Sequence, residues 1–322
     1  MRLKNILIVL AVLTLFAGIL FSNMPTTIAN QSETKNNIGP SDPWGQKEIL
    51  NYLLCTADDK LQNDVKQLQQ DLELTDSQME RLKILALQEH ELIREKMQNR
   101  RNKSFNDEIK QTFSDIDNAS QKILEGKYED FRKWIIKWWN EEKKYRKEWL
   151  KRNRAEANGE IGTQASIDRV LVYATQYAGH TDYEVALPDK YIKFANIGWD
   201  DEIPDLRKPY YSNPPYTVNV YYEETDESVL DVEVREVGPW NEDDNYWDAA
   251  DDANERRLFQ DLDLGQPEAE EAFYNDYNNG ENQFGDEVTN PAGIDLTPDV
   301  AEDLGLEYLE NAWVWVRYSD LP

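Results

Sequence analysis

Two carboxylates stand where general acid–base chemistry can be done. Glu236 ends the stretch Leu230-Asp-Val-Glu-Val-Arg-Glu236-Val-Gly-Pro-Trp240, in which apolar and polar side chains alternate up to a Gly-Pro turn. That pattern predicts a strand stopping at a sheet rim. Leu230, Val232 and Val234 share one face, and the period of two carries Glu236 onto it. A carboxylate on a core face needs a partner or an opening, since burying it unpaired costs several kcal/mol or shifts its pKa. The alternative is a strand-end Glu236 that turns to solvent. Asp295 sits in Ile294-Asp295-Leu296, before Thr297 as a helix cap, Pro298 at the first helical position and Gly305 as the stop. It is either a reactive group at a strand end or a stabiliser of the helix N-terminus. His90 and His180 lie far apart and Cys55 is the only cysteine, which leaves no zinc or Cys/His catalytic set and no internal disulfide. No metal or cofactor is expected.

The elements that must position these groups divide by charge. Of 35 Lys/Arg and 63 Asp/Glu, only nine basic but 40 acidic residues lie from Ala155 onward, leaving 26 and 23 before it. This shift predicts a boundary near 155, and the acidic half repels nucleic acid and anionic membranes. Arg2 and Lys4 precede an apolar run from Ile6 to Phe21 and then Thr27-Ile28-Ala29, the order of a secretory signal peptide over 1–29 or, uncleaved, of an N-terminal membrane anchor. The rest of the chain is therefore expected outside the cytoplasm, secreted or at the cell surface.

Residues 30–41 form a polar linker, and 42–154 a helical domain of bundle or coiled-coil type. Asp42-Pro43 starts a helix that carries Leu54, Ala57, Leu61, Val65, Leu68 and Leu72 on one stripe. Thr75 with Gln78 forms a capping box for a second helix. This Leu-Thr-x-x-Gln piece is similar to the repeat of small periplasmic helical chaperones. A third helix spans 106–124. A fourth, from Tyr128, sets Trp134, Trp138, Trp139 and Trp149 among Lys and Arg; its tryptophans face either the other helices or a membrane or wall surface. After a linker at 155–166, strands are predicted at 170–177, 216–222, 229–236, 294–296 and 312–318. The stretch 241–289 is expected to be an acidic insertion dispensable for folding. It is either a solvated loop or a calcium site built from Asp243, Asp244, Asp248, Asp251, Asp252 and Glu255.

Four segments in order, Val172-Tyr-Ala-Thr-Gln-Tyr177, Val232 to Trp240, Ala292-Gly-Ile-Asp-Leu-Thr-Pro298 with Leu304-Gly305, and Val314-Trp-Val316, resemble the double-psi β-barrel of rare lipoprotein A and the bacterial expansins. The resemblance covers about 169–318. It implies an α+β protein whose helical region precedes a six-stranded double-psi barrel at 167–322, with 241–289 inserted. It also implies a polysaccharide groove across the barrel, with Thr175 and Tyr177 among its binding residues. Glu236 matches the family's first aspartate, Asp295 the second, and Glu184 an early glutamate. In two places the sequence departs from the pattern. Glu236 is one methylene longer than the aspartate, and Tyr183-Glu184 replaces a Gly-Glu pair.

Glycosidic cleavage needs a carboxylic acid near the leaving oxygen and usually a second carboxylate, roles that Glu236 and Asp295 can fill. A lytic transglycosylase can use one acid and base, because the sugar's own hydroxyl attacks. A non-catalytic, expansin-like binder needs only hydrogen bonds and an aromatic platform, for which Trp240, Trp247, Trp313 and Trp315 are available. The expected partner is peptidoglycan or another wall glycan, with no nucleic acid and no membrane beyond the N-terminal segment. A third reading makes the helices a chaperone-like interaction domain that the barrel localises.

Overall fold

A computed structural model describes residues 42–98, 105–158, 169–179, 181–205, 207–211, 216–248 and 257–318. The segments expected as signal peptide (1–29) and polar linker (30–41) lie outside these residues. Among the described residues no helix is long and apolar enough to cross a membrane.

The apolar stripe expected to form one helix from Asp42 is broken. Helix α1 spans Ile49–Leu54 and α2 Asp59–Asp71. Between them Asp58 accepts a hydrogen bond from the Leu61 amide, a fresh N-cap, and Thr56–Ala57 form a short strand, β1. Helix α3 (Asp76–Gln98) begins at the expected capping box. The Gln78 amide donates to Thr75 Oγ1 at 3.2 Å and the Thr75 amide to Gln78 Oε1 at 3.1 Å. Helices α4 (Phe105–Leu124) and α5 (Tyr128–Asn158) follow, α5 running four residues past Arg154. Trp138 and Trp139 of α5 are buried, Trp139 stacked on Tyr274 with ring centroids 5.7 Å apart.

Six strands close into a mixed β-barrel: β2 (Arg169–Gln176), β3 (Glu184–Leu187), β4 (Thr217–Tyr222), β5 (Glu227–Val237), β6 (Ala292–Leu296) and β7 (Asn311–Tyr318). Their order is β7-β2-β6-β3-β5-β4, and β4 pairs back onto β7. The β2–β6 and β3–β5 pairings are parallel. Along β2 the alternation sends Val170, Val172 and Ala174 inward and Leu171 and Tyr173 toward the helices. Strand β3 was not anticipated, nor was helix α6 (Lys190–Ile197), capped by Asp189, that follows it.

One buried cluster crosses the boundary expected near 155. Tyr52 of α1 lies 5.7 Å from Tyr173 of β2, which lies 5.3 Å from Trp313 of β7, and Trp149 of α5 lies 5.6 Å from Trp313. At its centre Arg146, fully buried, donates to Glu142 Oε1 and Asp58 Oδ2, both at 2.9 Å. Its guanidinium lies over the Trp149 and Trp313 rings. Tyr52 Oη donates to the same Glu142 oxygen at 2.7 Å, and Lys60 donates to Glu142 Oε2. Trp313 and Trp315 are thus core residues on the barrel's helix-facing side.

The stretch 241–289 belongs to this architecture, contrary to the expectation that it is dispensable. Trp247 is buried in the barrel core and stacks on Tyr318 at 4.6 Å, while Tyr246 Oη donates to the Gly293 carbonyl. Helix α7 (Glu268–Asn275) sends Phe273 and Tyr274 into the cluster shared with α5. The acidic side chains seen here face cations: Asp243 meets Lys190 at 2.9 Å, Asp244 meets Arg257 at 2.8 Å and Asp248 meets Arg207 at 3.5 Å. Asp251, Asp252 and Glu255 lie outside the described residues, and among those described no group of three or more His, Cys, Asp or Glu is arranged to hold a metal. Replacing 242–289 with a short Gly/Ser link is therefore expected to abolish the cooperative melt, read by circular dichroism, because several large aromatic anchors leave the core together.

Burial also sets a pH dependence. Glu268 caps the inner side of this stretch, accepting from Asn241 Nδ2 at 2.7 Å. Burial first, and then the charge of Asp244, push its carboxyl from 4.5 up to about 8. A folded-state pKa above the unfolded one means stability that is complete below about 4.5 and lost as pH rises through about 8. The melting temperature is expected to fall across that window, and Glu268→Gln to flatten the fall; an unchanged slope in the variant rules the assignment out.

Candidate functional site

The expected carboxylates converge through strand register. Thr175 of β2 pairs with Asp295 of β6, Asp295 with Ala186 of β3, and Ala186 with Glu236 of β5. The four form one row across four adjacent strands, and paired residues project from the same face. Two strand spacings put the Asp295 and Glu236 Cα atoms about 10 Å apart, with only the Ala186 methyl between their side chains. This face is the outer one, toward the helices, since Val185, Leu187, Ile294 and Leu296 fill the interior.

The alternation that predicted an inward Glu236 fails twice. Leu230, expected on the core face, is 63% exposed and Val229 is buried in its place, because Val218 pairs with Val232 but Val220 with Val229. A second break lies at Arg235. Val185 pairs with Val234 but Ala186 with Glu236, so Arg235 is an extra, bulged residue and the parity flips beyond it. The bulged carbonyl accepts from Asn196 Nδ2 of α6 at 2.9 Å. Val237 then packs on the interior and Glu236 moves to the face that carries Asp295. A bulge that re-aims a side chain at a sheet rim recurs at functional sites.

The row floors a cleft of about 1160 Å³. One wall is α3 and the start of α4, with His90, Ile93, Arg94 and Phe105. The other is formed by the turn Gly238 to Glu242 and the loop around Phe284 to Asn290. Asp295 is half-buried and accepts a hydrogen bond from Thr175 Oγ1. Burial holds its carboxyl above the ordinary aspartate range, outweighing the Thr175 hydrogen bond and the charge of Arg94. Asp295 is thus biased toward the protonated form that a general acid needs. Glu236 is half-buried. Burial, with the charges of Glu184, Asp295 and Glu236, raises the Tyr177 phenol well above its ordinary value and keeps it a hydrogen-bond donor.

Thr175, Tyr177, Glu236, Trp240 and Asp295 therefore line one cleft, whereas Glu184 and Trp247 do not. Glu184 is fully buried beside it. Its Oε1 accepts from Tyr177 Oη at 3.0 Å, and its Oε2 accepts from the Thr181 amide and hydroxyl at 3.0 and 2.8 Å. The Glu184 backbone amide donates to Thr297 Oγ1, which returns a bond to the Glu184 carbonyl, so the residue expected to cap the helix clamps β3 instead. A Cβ on Gly179 would fall 2.6 Å from Glu184 Oε1, so only glycine admits this packing. Glu184 thereby positions Tyr177 rather than meeting a ligand. Trp247, expected on the groove, is inside the barrel. Trp240 lines the cleft but is 1% exposed, its Nε1 donating to Asn290 Oδ1 at 3.0 Å. The exposed aromatic of the cleft is Phe284, at 46%.

His90, Arg94 and Glu48 also line the cleft and were not anticipated. Their signal was readable in part. Leu82, Ala86, Ile93 and Met97 trace the apolar stripe of α3, and His90 falls on that stripe. A polar residue there requires a buried partner, and Glu48 provides it from outside the helix.

No curated protein and no solved structure matches the chain. Residues 152–317, just over half the chain, from the end of α5 through β7, match the family described as Domain of unknown function (DUF8814), and the chain belongs to that family.

Proposed function

We propose that the protein acts outside the cytoplasm on a cell-wall polysaccharide, peptidoglycan first, and cuts it in the manner of a lytic transglycosylase, with Asp295 protonating the leaving oxygen. The carrying observation is the row Thr175, Asp295, Ala186, Glu236 on the floor of an open cleft, its central carboxyl biased toward protonation. At about 1160 Å³ the cleft has room for sugar rings, and Tyr177, Thr175 and Arg94 line it with hydrogen-bonding groups. Two parallel strand pairs inside a closed six-stranded barrel support the double-psi assignment that the sequence resemblance suggested.

A binder that does not cut is the second reading, favoured by the hydrogen bond that already engages Asp295 with Thr175. The chaperone-like reading loses support, since α5 spends Trp138 and Trp139 on the barrel-side cluster. Incubating the protein with purified peptidoglycan and analysing the soluble fraction by mass spectrometry separates the first two. Anhydro-muropeptides mean cleavage, co-sedimentation without release means binding alone, and neither outcome refutes both.

A further inference from the structure

His90 is 3% exposed, and among the described residues its Nε2 has no hydrogen-bond partner although the residue lines the cleft. Its Nδ1 lies 2.8 Å from Glu48 Oε2. The roles in that contact are fixed from the far side. Asn290 Oδ1 accepts from Trp240 Nε1 and from the Ala292 amide, so its Nδ2 must donate, which it does to Glu48 Oε1 at 2.7 Å. Thr289 Oγ1 donates to the same oxygen at 2.6 Å. Glu48 Oε1 is thus an acceptor twice over. With Glu48 ionised, Oε2 accepts as well, Nδ1 carries the proton, and in the neutral ring Nε2 keeps its lone pair. A carboxylate that orients a histidine whose other nitrogen is uncommitted in a cleft is the arrangement of a general base with its orienting group.

We propose that His90 is the base of the cleft reaction, its Nε2 taking the proton of the attacking sugar hydroxyl while Glu48 holds the ring. The inference rests on the glycan reading and deepens it. In the step, the bond between the anomeric carbon and the glycosidic oxygen breaks, and that oxygen keeps the electron pair and takes the Asp295 proton. The hydroxyl oxygen of the same sugar bonds to the anomeric carbon and loses its proton to His90 Nε2. No water is consumed, and proton exchange with solvent restores both side chains. The charged and titratable groups around His90 are Glu48, which precedes α1, Glu89 and Arg94 on α3, and Asp295 on β6. The helices then supply one of the reacting groups, and the barrel alone would be an incomplete enzyme.

The test uses the full chain, with anhydro-muropeptide release from peptidoglycan followed against pH. His90→Gln is expected to lower release by about 10² to 10⁴-fold, with co-sedimentation on the same peptidoglycan retained, and Glu48→Gln to displace the acidic limb of the pH profile. Because either variant can disturb packing, the unmodified protein is also labelled with ¹⁵N and titrated with a tetrasaccharide of alternating N-acetylglucosamine and N-acetylmuramic acid. The chain has two histidines, so the His90 Nε2 resonance can be assigned, and it is expected to shift on saturation. Full turnover by His90→Gln, or an Nε2 signal unmoved by the bound sugar, overturns the proposal while Asp295 and the glycan reading stand. Binding without cleavage by the wild type overturns the base role of His90 and the acid role of Asp295 together and leaves the cleft as a glycan-binding surface, and no binding at all overturns the glycan reading as well.

Discussion

Asp295→Asn is expected to abolish glycan cleavage, a loss of at least about a hundredfold, while leaving the melting temperature unchanged or raised. The amide oxygen can still accept from Thr175 Oγ1, so the shape of the row persists and only the proton is lost. The stability half of the expectation follows from sign. A buried carboxyl with a folded pKa above its unfolded value stabilises the fold at low pH and loses that contribution as pH rises. The variant should therefore gain over the wild type at pH 8 and match it near pH 3. Release of anhydro-muropeptides at the wild-type rate by Asp295→Asn would remove Asp295 from the chemistry and leave the cleft as a binding surface.

The largest effect on stability is expected at Arg146. Arg146→Met removes the cation that compensates Glu142 and Asp58 in a buried setting, and breaking such a pair by deleting one partner costs about 3–5 kcal/mol. Loss of the guanidinium contact with the Trp149 and Trp313 rings adds to it. The double variant Arg146→Met with Glu142→Gln should recover part of the loss, since one of the orphaned carboxylates is then neutral. Denaturant melts of Arg146→Met, Glu142→Gln and the double variant give the coupling directly, and an Arg146→Met midpoint equal to the wild type would mean that the network is solvated.

Local signals were legible and long-range ones were not. The capping box at Thr75 and Gln78, the turn from Leu296 into Pro298, and the alternation in β4 depend on neighbours in sequence, and each lies where its residues put it. The break at Thr56–Ala57 depends on Asn311–Ala312, and nothing in the apolar stripe announces it. Strand β3 has four residues, too few for alternation to register. The site divides the same way. Asp295 and Thr175 were readable because they sit on strands, and Tyr177 because it directly follows one. Glu236 was placed at the end of its strand but aimed wrongly, since one bulged residue inverts a period of two. His90 and Arg94 escaped because their relation to the carboxylates is made by docking a helix onto a barrel, which no local pattern encodes.

The pairing of β1 with β7 bears on how the chain is assembled. Strand β7 neighbours β2, β4 and β1, and Asn311 Nδ2 donates to Asn51 Oδ1 across 260 residues. Among the described strands it is also the last in chain order. Until it arrives the barrel has an open seam, β1 has no neighbour, and the tryptophans of α5 lack part of their cover. Such high contact order makes folding slow and nearly all-or-none. The helices, though synthesised first, cannot settle early, and the nascent polypeptide must stay unaggregated until translation has passed residue 318.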